Sequence, residues 1–510
     1  MIYHNPIISG FAADPSICRV DEDYYMVHST FEYLPGLPIL HSKDLVNWEI
    51  IGHAIHRAEQ MQFSGLNCSE GLFAPTIRFH DGTFYVVCTN VSMDGNFYVT
   101  ASNPAGPWSD PIWVKQGGID PSLFFDAEGK VYFTSNGWED EDGHTVEFIQ
   151  QSEIDITTGE LLTDPVRICY GTGSRCLEAP HLYHIKDWYY LVCAEGGNDL
   201  RHMVTVFRSK SPWGPFESHP DNPVLTARDE ITPTLSAVGH ADLFEDKYGQ
   251  YWMIFLCYRT VDRYHHLGRE TGMVPIDWRD GWPIAVGGKV PGAIIECPDR
   301  KGVTTLLLVE IVENDDFSSA DHLGFKWNFL REYFADYLLD RTEKKGLVLK
   351  GNTHTLDELA TPAWIGRRQQ HFRIQCNTSV KVNTQDENEE AGLSVVCSNR
   401  AWYAVMVSIR DGKRAVILKK RVEDMQMEIV HILPEELQDV NCPIELYIDA
   451  YEQMYYFGFL CDGEKYCVGS GMTKLLSAEV NWGFTGVFIG MYAVGVEACY
   501  EYFRYVGYYI

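Results

Sequence analysis

Three acidic residues stand beside prolines in closely similar surroundings: Asp14 in Ala13-Asp14-Pro15-Ser16, Asp120 in Ile119-Asp120-Pro121-Ser122, and Glu178 in Glu178-Ala179-Pro180-His181. Singly, an Asp before Pro is a turn-former. Three acids brought together repel one another, which is costly unless the site uses them. Such a set suits hydrolysis of a glycosidic bond, where one carboxylate activates water and one carboxylic acid protonates the leaving oxygen. Repulsion from a third acid keeps the donor protonated, while a base held by hydrogen bonds stays ionised.

Bringing these acids together requires a repeating scaffold, and five copies of one pattern run through the first three hundred residues. Each has a short turn-and-apolar motif, a polar turn and an aromatic-rich strand, as in Ala74-Pro75-Thr76-Ile77, His80-Asp81-Gly82 and Phe84-Tyr85-Val86-Val87. Pro15, Pro75, Pro121 and Pro180, with Ala241 in the same register, lie 60, 46, 59 and 61 residues apart, an interval suited to one four-stranded sheet with its loops. A five-bladed β-propeller is expected, with the starts of its innermost strands converging on a central channel. The other reading of the same hairpins is a generic all-β protein.

The pattern stops near residue 310, where Glu313-Asn314-Asp315-Asp316-Phe317-Ser318-Ser319 is polar and turn-rich. Alternating strands then turn at Asp411-Gly412 and Asp462-Gly463. The expected division is a propeller over 1–314 and a β-sandwich over 315–510, giving an all-β protein.

The 510 residues exceed what one hydrophobic core supports. Forty-one basic against seventy-one acidic side chains leave a net charge of −30, which opposes nucleic acids and anionic membranes and favours neutral ligands. No segment reaches the length of a membrane span, and Met1-Ile2-Tyr3-His4 opens no signal-peptide pattern. Fourteen cysteines include no C-x-x-C pair, and Cys88, Cys193 and Cys257 sit in apolar runs. Buried free thiols in a reducing cytoplasm are expected.

The stretches Phe11-Ala12-Ala13-Asp14-Pro15-Ser16, Gly118-Ile119-Asp120-Pro121-Ser122 and Leu177-Glu178-Ala179-Pro180-His181 resemble the signature of glycoside hydrolase family 43. Nearly the whole chain is similar to its β-xylosidases, which carry a concanavalin-like sandwich after the propeller. The resemblance implies Asp14 as general base, Asp120 as modulator and orienter of the acid, Glu178 as general acid, and inversion at the anomeric carbon. It also implies that Arg269, in Leu267-Gly268-Arg269-Glu270-Thr271, hydrogen-bonds the terminal sugar. Phe31, Phe73, Ala74 and Phe484 would shape the pocket, with Phe73 standing where many relatives carry Trp. His240 would lie at the channel centre near a water or, in some members, a structural calcium; the chemistry itself calls for no cofactor.

On the residues alone, Arg269 also fits a surface ion pair with Glu270 or a neighbour, His240 a core histidine, and Phe484 strand packing. The activity implied is exo-acting release of terminal xylose from xylo-oligosaccharides. The alternative is α-L-arabinofuranosidase acting on arabino-oligosaccharides, because the furanose presents its hydroxyls much as xylopyranose does. A carbohydrate-binding propeller without catalysis is the reading from another class, and it has no need of three clustered acids. Homo-oligomers are a further implication of the family.

Overall fold

The computed structural model describes residues 2–297, 310–318, 323–333, 338 and 346–509. Five antiparallel sheets follow one another along the chain, opening with the strands Ser16–Val20, Leu72–His80, Ser122–Phe125, Glu178–Ile185 and Ser236–Glu245. Each is built from four strands in chain order, and the fourth sheet gains the short strand Leu225–Thr226. The opening strands adjoin in a ring, first to second and so on, with the fifth returning to the first. This is a β-propeller, and the opening strands surround its axis.

The ring is stitched by one position of the repeat. The residue following Pro15, Pro75, Pro121, Pro180 or Ala241 is polar in every copy: Ser16, Thr76, Ser122, His181 and Asp242. Ser16 Oγ donates to Asp242 (2.6 Å) and accepts the Ile77 N–H (3.1 Å). Thr76 Oγ1 donates to the Pro121 carbonyl (2.8 Å), and Ser122 Oγ donates to the Pro180 carbonyl (2.6 Å). The Tyr183 hydroxyl donates to Asp242, closing the circuit from the fourth sheet to the fifth.

Arg78 crosses the axis from the second sheet, donating to both Asp242 oxygens (2.9 and 3.2 Å) and lying 3.0 Å from His181 Nδ1. Burial opposes ionisation of Asp242, but Arg78 above all, with His181 and Ser16, holds its carboxyl well below the usual range. A buried charge is tolerable when paired and fully hydrogen-bonded, as here.

The second unit is a sandwich of a six-stranded and a seven-stranded sheet. Side chains such as Leu393, Val405, Leu446, Phe457 and Tyr500 fill the space between them. Strand Glu310–Asp315 pairs with Glu497–Tyr508 in the seven-stranded sheet, so it straddles the division expected after residue 314; Ser319 of the turn-rich stretch lies outside the described residues. Phe11, Phe31 and Tyr33 of the propeller share a core with Trp364, Trp402 and Phe488 of the sandwich. Tyr33 stacks on Phe488 with ring centroids 3.9 Å apart.

All fourteen cysteines are free, and Cys88, Cys193 and Cys257 are buried as expected. Among the described residues no helix is long and apolar enough to cross a membrane.

The axial ion pair gives a first test. Asp242→Ala strands the Arg78 charge and is expected to cost about 3–5 kcal/mol in urea unfolding. Replacing the pair together, as Arg78→Met with Asp242→Leu, should recover part of that loss. Equal stability of Asp242→Ala and the unmodified protein would show that the axis is held by other contacts.

Candidate active site

The position immediately before the repeated proline is unusual in all five copies. Asp14 (φ 55°), Ala74 (35°), Asp120 (55°), Ala179 (52°) and His240 (46°) all occupy the left-handed region. Each such non-glycine residue costs on the order of 1–3 kcal/mol unless its surroundings enforce it. The Asp14, Asp120 and His240 side chains meet there: His240 Nδ1 is 3.7 Å from Asp14 Oδ1 and 3.9 Å from Asp120 Oδ2. The other two copies present only the methyl groups of Ala74 and Ala179, which leave room beside the acids. Glu178 precedes this register by one residue, at a break in pairing with the next strand between Glu178 and His181.

The three acids experience opposite environments. Asp14, 4% exposed, accepts a hydrogen bond from Ser29 Oγ (2.6 Å) and one from Arg269 Nη1 (2.9 Å). Burial opposes its ionisation, but Arg269, His240 and Ser29 together hold its carboxyl below the ordinary value. Asp120 is pushed well up by burial and by the charges of Glu178 and Asp14, although the Ala179 N–H (3.1 Å) partly stabilises its anion. Burial, then repulsion from Asp14, raises Glu178 to about 7. Glu178 keeps partial exposure toward solvent while the other two acids are closed in.

Arg269 joins Asp14 to the aromatic rings beside it. Besides Asp14 it donates to the Phe484 carbonyl (3.2 Å) and to Asn198 Oδ1 (3.2 Å). The expected alternative, an ion pair with Glu270, does not form; Glu270 is clamped by Arg259 at 2.7 and 2.8 Å. The guanidinium of Arg269 lies 5.5 Å from the Phe31 ring and 5.2 Å from the Phe484 ring. Phe31, Phe73 and Phe484 pack on one another at 4.8–5.8 Å, so the two propeller rings and the sandwich ring form one wall.

Backbone contacts fix that wall. The Phe484 N–H donates to Ser69 Oγ (2.8 Å), and the Ser69 N–H donates to buried Glu32 (2.9 Å). Gly268, with φ +83°, approaches Gly486 so closely that an added Cβ would lie 2.6 Å from Gly486 Cα. The segment carrying Arg269 and the segment carrying Phe484 therefore touch main chain to main chain.

His240 faces the acids rather than apolar core, and burial first, then Arg269, pulls its imidazole below the ordinary value despite Asp14. A calcium ion at the channel centre would need six to eight ligands, mostly oxygen. His240 would offer such an ion a single nitrogen.

Several contributors lay outside the repeat. Ser29 accepts the Ala74 N–H (2.7 Å) while donating to Asp14, so one hydroxyl fixes both Asp14 and the neighbouring copy. Buried Glu195 accepts from Thr172 N–H (3.0 Å), Thr172 Oγ1 (2.8 Å), Ser174 N–H (3.2 Å) and Thr205 Oγ1 (2.8 Å), holding the loop that leads into Glu178. His202 packs under His240 against Gly239, where an added Cβ would lie 2.3 Å from the His202 ring.

Known proteins share this arrangement over nearly the full chain. Residues 3–283 match the family described as Glycosyl hydrolases family 43, and residues 314–506 match the Beta xylosidase C-terminal Concanavalin A-like domain. The chain is 42% identical to the non-reducing end α-L-arabinofuranosidase BoGH43B of Bacteroides ovatus over 500 residues, covering 97% of this chain and 91% of that protein. It is 32% identical to a β-xylosidase of Bacillus subtilis over 531 residues, 98% of this chain and 99% of the other. The solved structure of Bacteroides ovatus xyloglucan PUL GH43B matches with a TM-score of 0.90 at 38% identity, covering 99% of both chains. With the acid cluster, the propeller and the sandwich all accounted for, the chain belongs to glycoside hydrolase family 43 and is a glycosidase.

Proposed function

We propose that this glycosidase is an exo-acting, inverting pentosidase that releases terminal xylose from short xylo-oligosaccharides. The observation carrying the reading is the opposed protonation of acids in one site: Asp14 is held ionised while Asp120 and Glu178 are pushed toward the neutral form. Asp14 takes a proton from water as that water attacks the anomeric carbon. In the same step the glycosidic C–O bond breaks and Glu178 gives its proton to the leaving oxygen. Asp120 acts through Glu178: the two buried carboxyls repel each other when both are ionised, so the pair keeps a proton that Glu178 can give. Arg269 binds the terminal sugar and fixes Asp14, and the wall of Phe31, Phe73 and Phe484 supports a pocket sized for one chain end.

A non-catalytic binding role leaves the buried, mutually repelling acids without a purpose. The second reading, α-L-arabinofuranosidase as main activity, is favoured by the 42% identity to an enzyme of that name, against 32% to a β-xylosidase. Comparing kcat/KM on nitrophenyl β-xyloside, nitrophenyl α-L-arabinofuranoside and xylobiose decides between the two. Absence of turnover on all three would remove the proposal altogether. We also take 1–314 as the catalytic propeller and 315–510 as the sandwich. A chain ending at 314 is expected to be poorly soluble or nearly inactive, because it loses Phe484 and exposes the shared core.

The roles of base and acid separate by leaving group. Asp14→Ala should cripple hydrolysis of every substrate. Glu178→Ala should lose about 10²–10⁴-fold on xylobiose but far less on dinitrophenyl β-xyloside, whose phenolate departs without a proton. The opposite pattern would exchange the two assignments.

Activity is expected to fall as pH rises through about 7, where Glu178 loses its proton. Asp120→Asn takes away the carboxyl with which Glu178 holds that proton, so the alkaline limb should move to lower pH. The stability consequence has a definite sign: a carboxyl whose folded pKa is raised contributes most below its unfolded value, near 4.5 for Glu178, and that contribution is lost as pH rises through the folded pKa. Asp120→Asn should therefore raise the melting temperature, with a gain that grows from acid toward alkaline pH. A gain independent of pH would mean the acids are not strained by one another.

A further inference from the structure

A cavity of about 1330 Å³ opens between the propeller and the sandwich, and none of the three acids lines it. Three arginines do. Arg259 is neutralised by Glu270 and Arg367 by Glu313. Arg368, the last residue of strand Ala363–Arg368, has neither a hydrogen bond nor an ion pair among the described residues. Its Nε and Nη2 are closed off from solvent without an acceptor, which leaves Nη1 as the nitrogen on the cavity side.

The neighbours of Arg368 supply no counter-charge. The Phe11 and Phe488 rings lie 5.6 and 5.9 Å from its guanidinium. The Tyr33 hydroxyl is fully buried and also has no hydrogen-bond partner. His28 and His53 are buried, and burial first, then the charge of Arg368, keeps both neutral. Burial pulls Arg368 itself down to about 10, with Tyr33 alone opposing. Two guanidinium nitrogens removed from water without a partner destabilise the fold, whereas a chain with seventy-one acidic residues has ample means to pair them.

We propose that Arg368 anchors a binding site for a small oxyanion, of the carboxylate or phosphate kind, in the cavity between the two domains. The anion supplies the missing counter-charge from the cavity side and accepts from the guanidinium, as Glu270 does from Arg259. Because Arg368 belongs to the sandwich, and His28 and Tyr33 to the segment linking the second and third strands of the propeller's first sheet, the bound anion tightens the joint between the domains. The site is independent of the catalytic reading.

The test uses the full-length protein in buffer of low ionic strength. Melting temperature is titrated with sodium acetate, with inorganic phosphate, and with sodium chloride at matched ionic strength, for the unmodified protein, Arg368→Met and Arg368→Lys. Acetate or phosphate is expected to give a saturable rise beyond that of chloride, and the anion that saturates first identifies the source. Arg368→Met should abolish the rise and, without added anion, melt no lower than the unmodified protein. Arg368→Lys keeps the charge but loses the planar donor set, so saturation should require roughly tenfold to a hundredfold more anion. If Arg368→Met does not fold, the lysine variant decides alone. Equal rises in all three proteins would reveal a general solute effect, and no rise beyond chloride in the unmodified protein would mean that nothing binds; either result overturns the site.

Discussion

The molecule turns on the ion pair between Arg78 and Asp242 at the propeller axis. Five sheets can close into a ring only if their inner strands are held together where no apolar side chain has space to interdigitate. Asp242 accepts from Ser16, Ile17, Arg78 and Tyr183, which come from three other sheets. An anion with its coordination filled in this way cannot be exchanged for a neutral residue without leaving donors unpaired. The polar residue after each repeated proline extends the same linkage around the remaining sheets.

Chemistry sits two residues upstream of that linkage. The left-handed backbone at Asp14, Ala74, Asp120, Ala179 and His240 places five side chains at equivalent positions around one axis. Function then comes from making them unequal. Two acids and a histidine fill three positions, two methyl groups leave the others open, and Arg269 reaches in beside the fifth sheet to hydrogen-bond Asp14 but not the other two acids. The polarity of the site arises from what each acid touches, since Asp14 and Asp120 have the same residue type, backbone conformation and register.

Much of this was legible in the sequence because the repeat has a fixed punctuation. The prolines set the register, the aromatic strands followed at constant distance, and the acids stood at the same place relative to both. Arg269 was identified through its surrounding residues, but its partner was not: adjacency suggested Glu270, whereas adjacent residues on a strand point to opposite faces. Ser29 and Glu195 gave no signal, because each acts through partners fixed only by the closure of the ring or the folding of a loop. At the joint between domains, the meeting of Phe31 and Phe73 with Phe484 was legible only through the family resemblance, since nothing in local patterning says which propeller ring meets which sandwich ring.

The contact between Gly268 and Gly486 has a consequence for how such an enzyme changes its tastes. Two main chains with no side chains between them form a gauge block: the spacing between the arginine arm and the sandwich ring is set by backbone thickness, not by any replaceable group. Substitution can resize the rings or the methyl groups that line the pocket, but it cannot bring its two jaws nearer. Selection for a different sugar would therefore act on the furnishing of a chamber whose width is already determined, and enlargement at the glycines would carry the penalty of prising the domains apart.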